Sequence, residues 1–323
     1  MRAIVVRKHG GPEELKLDEW DTPVPGPGEV LIDVAAAGVN FHDIDERIGL
    51  FPRELPYVPG FECSGTVSAV GPDVTRVAVG DLVATLVLSS PGAYAEKVVV
   101  PAESVVPVPA EVGAEQAAAL LLQGMTAHYL TRDSYQVRPG ETALVHAAAG
   151  GLGQLLTQVL RREGVRVIGT VSTADKEQAA RVAGADEVIR YTEVDFADEV
   201  RKLTDGKGVD VIYDGVGQAT FDKGLASLRT RGTLILYGQT SGVVPPMDMR
   251  AGKPGSFHLI FPMIPDFIAT NDEMMGRATD IFDWVRAGDI TVHVGRTYPL
   301  ADAGTAHDDL EHRRSTGKLL LIP

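Results

Sequence analysis

The run Thr142-Ala143-Leu144-Val145-His146-Ala147-Ala148-Ala149-Gly150-Gly151-Leu152-Gly153 decides the fold. An apolar tetrapeptide leads into a glycine-rich turn, and residues 155–162 then read as a helix. A strand, a tight turn and a helix start, in that order, present free backbone N–H groups and the positive helix end to a phosphate. Ala148-x-Gly150-x-x-Gly153 follows the dinucleotide fingerprint with alanine in the first glycine's place. Gly150 then lets the backbone approach a pyrophosphate, and Gly153 lets the helix pack on the strand. A turn rich in Gly and Ala also packs tightly for its own sake, so the flanking sequence has to decide.

Downstream, apolar runs alternate with helix-like stretches: 165–171 then 176–183, 187–191 then 196–203, 209–213 then 221–228, and a last run at 233–237. Alternation of this kind builds βαβ units around a parallel sheet, so the fold class is α/β with a doubly wound parallel sheet that binds a dinucleotide. The first third differs. Short strand candidates at 3–7, 29–35, 65–70, 81–86 and 94–100 are separated by Gly and Pro, as at Pro59-Gly60, Gly71-Pro72 and Ser90-Pro91-Gly92, which predicts a compact, partly barrelled β domain. A helix over 115–129, interrupted at Gly124, leads out of it. Residues 245–254 read as a loop, 273–286 as a helix and 318–322 as a strand.

At 323 residues the chain has room for about two domains. No stretch approaches the roughly 20 apolar residues of a membrane span, and residues 1–5 open straight into a strand pattern, so the expectation is a cytoplasmic protein with no membrane partner. The net charge of −14 disfavours broad binding to nucleic acid, although a local basic pocket for a phosphorylated cofactor is still allowed. Cys63 is the one cysteine, which rules out an internal disulfide and a cysteine-rich zinc site.

With His9-Gly10-Gly11-Pro12-Glu13, Ala37-Gly38-Val39-Asn40-Phe41, Pro59-Gly60-Phe61-Glu62, Val79-Gly80-Asp81-Leu82-Val83, Gly124-Met125-Thr126-Ala127 and the closing Gly317-Lys318-Leu319-Leu320-Leu321-Ile322-Pro323, the chain resembles the zinc-independent quinone oxidoreductases of the medium-chain dehydrogenase/reductase superfamily. The resemblance runs over essentially the whole chain. It implies a β-rich GroES-like catalytic domain over residues 1–124, completed by 262–323, and a Rossmann cofactor domain over 125–261, with the cofactor in a cleft between them. It also implies a homodimer.

Zinc-dependent relatives place Cys where this chain has Asn40 and His where it has Phe61, so no metal is expected. His42, Asp43, Glu62 and Cys63 are local candidates for an unorthodox site, against solvated or packed side chains. The second strand of the nucleotide domain ends in Ser172-Thr173 with Lys176 following, where NAD-preferring folds carry a carboxylate. Small donors and a cation suit a 2′-phosphate, which predicts NADPH. A Ser-Thr pair at a helix start equally serves as an N-cap. Asp175 and Glu177 blunt the potential around Lys176, and the resemblance adds Tyr191 to the phosphate side. It further implies cofactor contacts from Ala149, Gly150, Gly151, Leu152, Gly153, Val216, Gly217, Tyr237, Gly238, Thr240, Ser241 and Arg313. Asn40 and Thr126 are implied on the nicotinamide side, as candidate catalytic residues.

Hydride chemistry belongs to the nicotinamide, so the protein contributes orientation and charge stabilisation. Without a metal Lewis acid, an electrophilic acceptor such as a quinone is favoured. A double-bond reductase acting on enones or enals is the enzymatic alternative, and a crystallin-like or RNA-binding protein that keeps the fold without turnover is the other. The chain departs from close relatives at Asp45, where they carry Tyr, and at Phe261, where they carry Arg. The first leaves the make-up of the substrate pocket undecided and the second weakens the expected cationic grip on the cofactor.

Overall fold

The computed structural model describes residues 1–88, 92–247 and 255–323. The turn expected at Ser90-Pro91 and most of the loop expected at 245–254 lie outside them. The chain divides into two compact units, Met1–Met125 with Thr270–Pro323, and Thr126–Ala269.

The first unit is β-rich. Strands β1 (Arg2–Val5) and β2 (Lys16–Glu19) form an antiparallel pair. The larger sheet holds β3 (Glu29–Val39), β4 (Glu62–Val70), β5 (Leu82–Leu86), β6 (Lys97–Pro101) and β7 (Val105–Pro107). Two strands from the far end of the chain complete it, β14 (Val294–Pro299) and β15 (Lys318–Ile322), in the order β14-β15-β3-β4-β5-β7 with β6 also on β3. Ile32, Val67, Tyr94, Val98, Leu319 and Leu321 are buried together, so the C-terminal strand is part of this core. Helix α1 (Phe41–Arg47) starts one residue beyond β3, and α7 (Asn271–Ala287) and α8 (Ala303–Glu311) precede β14 and β15 respectively.

Helix α2 (Ala114–Tyr129) corrects one expectation. It runs through Gly124 unbroken and carries Thr126. Gly124 is there for packing. A Cβ on it would come within 3.0 Å of Ile281 Cδ1 and 3.1 Å of Leu120 Cδ1, so the glycine lets α7 approach.

In the second unit β8 (Thr142–Val145), β9 (Arg166–Val171), β10 (Glu187–Arg190), β11 (Val209–Asp214), β12 (Leu228–Leu236) and β13 (Phe257–Ile260) pair in parallel, in the order β10-β9-β8-β11-β12-β13. Helices α3 (Gly151–Arg162), α4 (Ala174–Val182), α5 (Phe196–Leu203) and α6 (Phe221–Ser227) connect them. Counted within the unit this is the order 3-2-1-4-5-6, whose reversal point lies between β8 and β11, and ligands bind beyond the strand ends at such a point. The edge strand β13 was not legible because none of its four residues is buried, so no alternation marks it.

Candidate active site

The turn after β8 is built as its residue types predict. Ala147 takes a left-handed φ of 52°, Gly150 N–H closes the turn on Ala147 O at 2.9 Å, and Gln154 Nε2 pins it to Ala149 O at 2.8 Å. Gly150 is the N-cap of α3 and has no side-chain oxygen to satisfy the first helical N–H groups, which leaves them for an anion. Gly153 is forced by close approach, since a Cβ there would lie 2.3 Å from Ala147 O and 2.8 Å from Ala148 Cα.

The ends of β9 and β10 are tied together. Thr192 Oγ1 donates to Ser172 O at 2.9 Å and Tyr191 N–H to Val171 O at 3.1 Å, which brings Ser172, Thr173, Lys176 and Tyr191 to one edge of the sheet. Thr173 caps α4, its Oγ1 accepting the Lys176 N–H at 3.3 Å, so its hydroxyl already has this structural use. Glu177 is drawn into ion pairs with Arg181 at 2.9 Å and Arg190 at 3.1 Å. Its charge is therefore largely compensated, and it opposes Lys176 less than its position in the sequence suggests.

Beyond β11, the fully buried Asp214 organises a loop that sequence reasoning did not assign to it. Its Oδ1 accepts from Val216 N–H at 2.7 Å, Gly217 N–H at 3.0 Å and Thr220 Oγ1 at 2.9 Å. Ser241 Oγ donates to Val216 O at 2.7 Å and accepts from Ala219 N–H at 3.0 Å, and Thr240 N–H reaches Gly215 O at 3.2 Å. Tyr237 and Gly238 pack on Gly215, so Val216, Gly217, Tyr237, Gly238, Thr240 and Ser241 belong to one joined pair of loops. An acid ending an apolar strand just before Gly-Val-Gly was the available signal.

In the first unit, Asn40 is the N-cap of α1, and its surroundings were not legible locally. Lys318 Nζ lies 2.6 Å from Asn40 Oδ1 and 2.5 Å from Glu62 Oε1, with the side chains of Lys318 and Glu62 only 1% and 0% exposed. Asn40 Nδ2 donates to Glu62 Oε1 at 3.0 Å and Gly38 O at 3.3 Å, while Glu62 Oε2 accepts the Leu122 N–H of α2 at 2.9 Å. Both amide hydrogens of Asn40 are thus engaged inside the protein. Gly38 makes room, because a Cβ on it would stand 2.3 Å from Glu62 Oε1.

This donor set does not suit zinc. An amide, the Phe61 ring and a carboxylate already held by an ammonium replace the charged ligands that zinc takes, and burial raises the Cys63 thiol far out of the thiolate range. Among the described residues no three His, Cys, Asp or Glu side chains converge on a metal position.

A second chain of contacts starts at the same N-cap. Asp43 Oδ2 accepts from Asn40 N–H and from Tyr94 OH, both at 2.9 Å. His307 Nε2 is 3.1 Å from Tyr94 OH, and Arg47 Nη1 is 3.2 Å from His307 Nδ1. Arginine can only donate, so Nδ1 accepts, Nε2 carries the proton and donates to Tyr94, and Tyr94 donates to Asp43. Burial, with help from Arg47, pulls His307 down to about 3 and keeps it neutral. Burial pushes Asp43 up to about 6, against the opposing pull of His42 and its two hydrogen bonds. His42 itself is lowered by burial but raised more by its bond to Glu46 and by the carboxylates of Asp43, Glu46 and Asp45, for a net rise. Its ring stands 4.5 Å from that of Phe61 and 5.5 Å from that of Phe51.

Asp43 yields a pH prediction. A carboxyl whose folded value of about 6 exceeds its ordinary 3.8 favours the folded state below about pH 4 and loses that contribution as pH rises through 6. At about 1.4 kcal/mol per unit the loss is about 3 kcal/mol. Asp43→Asn removes the titration, so denaturant unfolding at pH 4 and pH 7 should show the variant gaining about 2 kcal/mol on the wild type between the two. An unchanged difference would contradict the assignment.

Arg313 is exposed just past the end of α8, with a left-handed φ of 56°. Its neighbour Arg314 is held by Asp308 and, at 2.7 Å, by Asp309. Phe261 is 56% exposed, and Asp45 is half-buried on α1 with its carboxyl raised by burial.

Comparison with known proteins agrees over the full length. Residues 26–110 match the alcohol dehydrogenase GroES-like domain, and residues 183–321 match the zinc-binding dehydrogenase family. A 2-haloacrylate reductase from Burkholderia sp. is 40% identical over 99% of this chain and 98% of its own. The crystal structure of Escherichia coli quinone oxidoreductase complexed with NADPH superposes with a TM-score of 0.96 at 38% identity, covering all of both chains. A mycobacterial protein complexed with NADPH superposes at 0.95 with 49% identity, again over all of both chains.

Proposed function

The chain belongs to the quinone oxidoreductases of the medium-chain dehydrogenase/reductase superfamily, and from that premise we propose that it reduces quinones with NADPH and without zinc. The observation that carries the reading is the end of β9, where Ser172, Thr173, Lys176 and Tyr191 gather without a carboxylate on the strand end. A ribose 2′-phosphate finds a cation and small donors there, whereas an Asp would repel it.

NADPH, when bound, supplies the hydride. The chain's own residues hold and orient it. The first N–H groups of α3, with Ala149 to Gly153 around them, would take the pyrophosphate, and Val216, Gly217, Tyr237, Gly238, Thr240 and Ser241 would line the path beyond. Thr126 and Asn40 are assigned to the nicotinamide side and Arg313 to the cofactor. Because Asn40 spends both amide hydrogens on Glu62 and Gly38, its part is to hold this corner in shape, and the acceptor's oxygens take protons from water. The protein acts as a homodimer in the cytoplasm, and among the described residues no helix is long and apolar enough to cross a membrane.

The test is loss of nicotinamide absorbance with benzoquinone and naphthoquinone after exhaustive dialysis against a chelator. Full activity is expected; dependence on an added divalent cation, or no turnover of either quinone, would overturn the proposal. The 40% identity to a 2-haloacrylate reductase favours one second reading, reduction of an activated carbon–carbon double bond. Faster turnover of 2-haloacrylates or small enones than of quinones would select it.

Lys176→Ala should lower kcat/KM for NADPH about 10-fold and leave that for NADH unchanged, as expected for one lost charge-assisted contact. Parallel kinetics with the two cofactors would check it, and an equal loss for both would remove Lys176 from the phosphate site.

A further inference from the structure

We propose that Lys318 is the internal cation of the candidate active site, a positioning residue whose ammonium dictates the orientation of Asn40 and holds Glu62 in place. An ammonium offers only donors, so the two atoms facing it at 2.5 and 2.6 Å must both be acceptors. The contact therefore fixes which end of the Asn40 amide is which: Oδ1 meets Lys318 and Nδ2 is turned to Glu62 and Gly38. Through its other oxygen Glu62 then holds the Leu122 N–H of α2, the helix that carries Thr126 one turn later. One cation so orients Asn40 and, through Glu62, ties down the α2 turn at Leu122.

The pairing follows from strand register. β15 pairs antiparallel with β3 as Leu319↔Val39 and Leu320↔Gly38, which places Lys318 beside Asn40, and β4 brings Glu62 opposite Gly38. Lys and Glu are almost never fully buried unless paired, and a buried ion pair is a poor way to gain stability, because apolar residues of similar volume commonly do as well. A pair with almost no solvent contact, wired to an N-cap and to the interior of a second helix, is better explained by the orientation it imposes.

The kinetic arm of this inference rests on the proposed quinone reduction; its binding arm does not. Lys318→Ala removes three carbons and the ammonium, which n-propylammonium restores atom for atom. Expected are a kcat at least 10-fold below wild type, a KM for NADPH within about twofold of it, saturable recovery of kcat with n-propylammonium, and a rise in the variant's melting temperature with that cation but not with 1-propanol. Should Lys318→Ala not fold, the double variant Lys318→Met with Glu62→Gln removes both charges with one heavy atom fewer, and is expected to fold while remaining at least 10-fold slow. A folded variant with kcat within twofold of wild type, recovery by propanol equal to that by the amine, or no response to the amine in melting temperature would overturn the proposal. If the wild type turns over no acceptor, the functional reading fails while the cation-specific melting shift still decides this one.

Discussion

Lys318→Met alone should destabilise the protein by about 3–5 kcal/mol, because truncating one partner leaves the Glu62 carboxylate buried without compensation. The effect is not the worth of a contact. Glu62 keeps its bonds from Asn40 and from the Leu122 N–H, yet these are dipoles, and they offset only part of the desolvation of a full charge. Adding Glu62→Gln to Lys318→Met should recover most of the loss, since the charge that made the first change expensive is gone. Denaturant unfolding of the two single variants and the double variant measures this as a coupling of 2 kcal/mol or more. Additive losses would mean that the two groups do not interact as the 2.5 Å separation requires.

Gly153→Val should lower NADPH affinity by at least about 100-fold, equivalent to about 3 kcal/mol. Here the obstruction is backbone on both sides, Ala147 O at 2.3 Å and Ala148 Cα at 2.8 Å, and no side chain can swing away to relieve it. The turn has to open, and with it goes the aim of the first N–H groups of α3. Gly150 provides the internal comparison. A Cβ there meets nothing nearer than Ala147 O at 3.3 Å, so Gly150→Ala should be much milder. Titration of NADPH against the two variants, together with their melting temperatures, would check the pair. Equal, small losses would show that the close approach of α3 to its strand is not what shapes the site.

Much of the nucleotide-binding unit could be read from short stretches of chain. The alternation of β8 to β12 with α3 to α6, the glycine turn at residues 147–153 and the Ser172-Thr173 end of β9 each show themselves within a few residues. Two misreadings, one in each unit, have identifiable causes. Gly124 looks like a break but sits against Ile281 and Leu120, and β13 carries no buried residue to mark it. Asp214 was within reach, yet its role emerged only from the three loop groups that converge on one of its oxygens.

The Asn40 corner of the first unit was legible in outline alone. Asn40 could be singled out, but its partner Lys318 lies 278 residues away and Glu62 lies 256 residues from Lys318. The same holds for the line from Asp43 through Tyr94 to His307 and Arg47, which spans both ends of the chain.

By itself, then, the amino-acid order determined the two kinds of architecture, the glycine turn that opens α3 and the lack of a carboxylate where β9 ends. Tertiary structure alone decided that a buried lysine faces Asn40 and Glu62, that the Asn40 amide is already engaged, and that Asp43 holds its proton to about pH 6. The division has a physical origin. Periodicity, glycine turns and helix caps are set by residues within a turn or two of one another, whereas the partner and the ionisation of a buried polar group depend on strand register and burial.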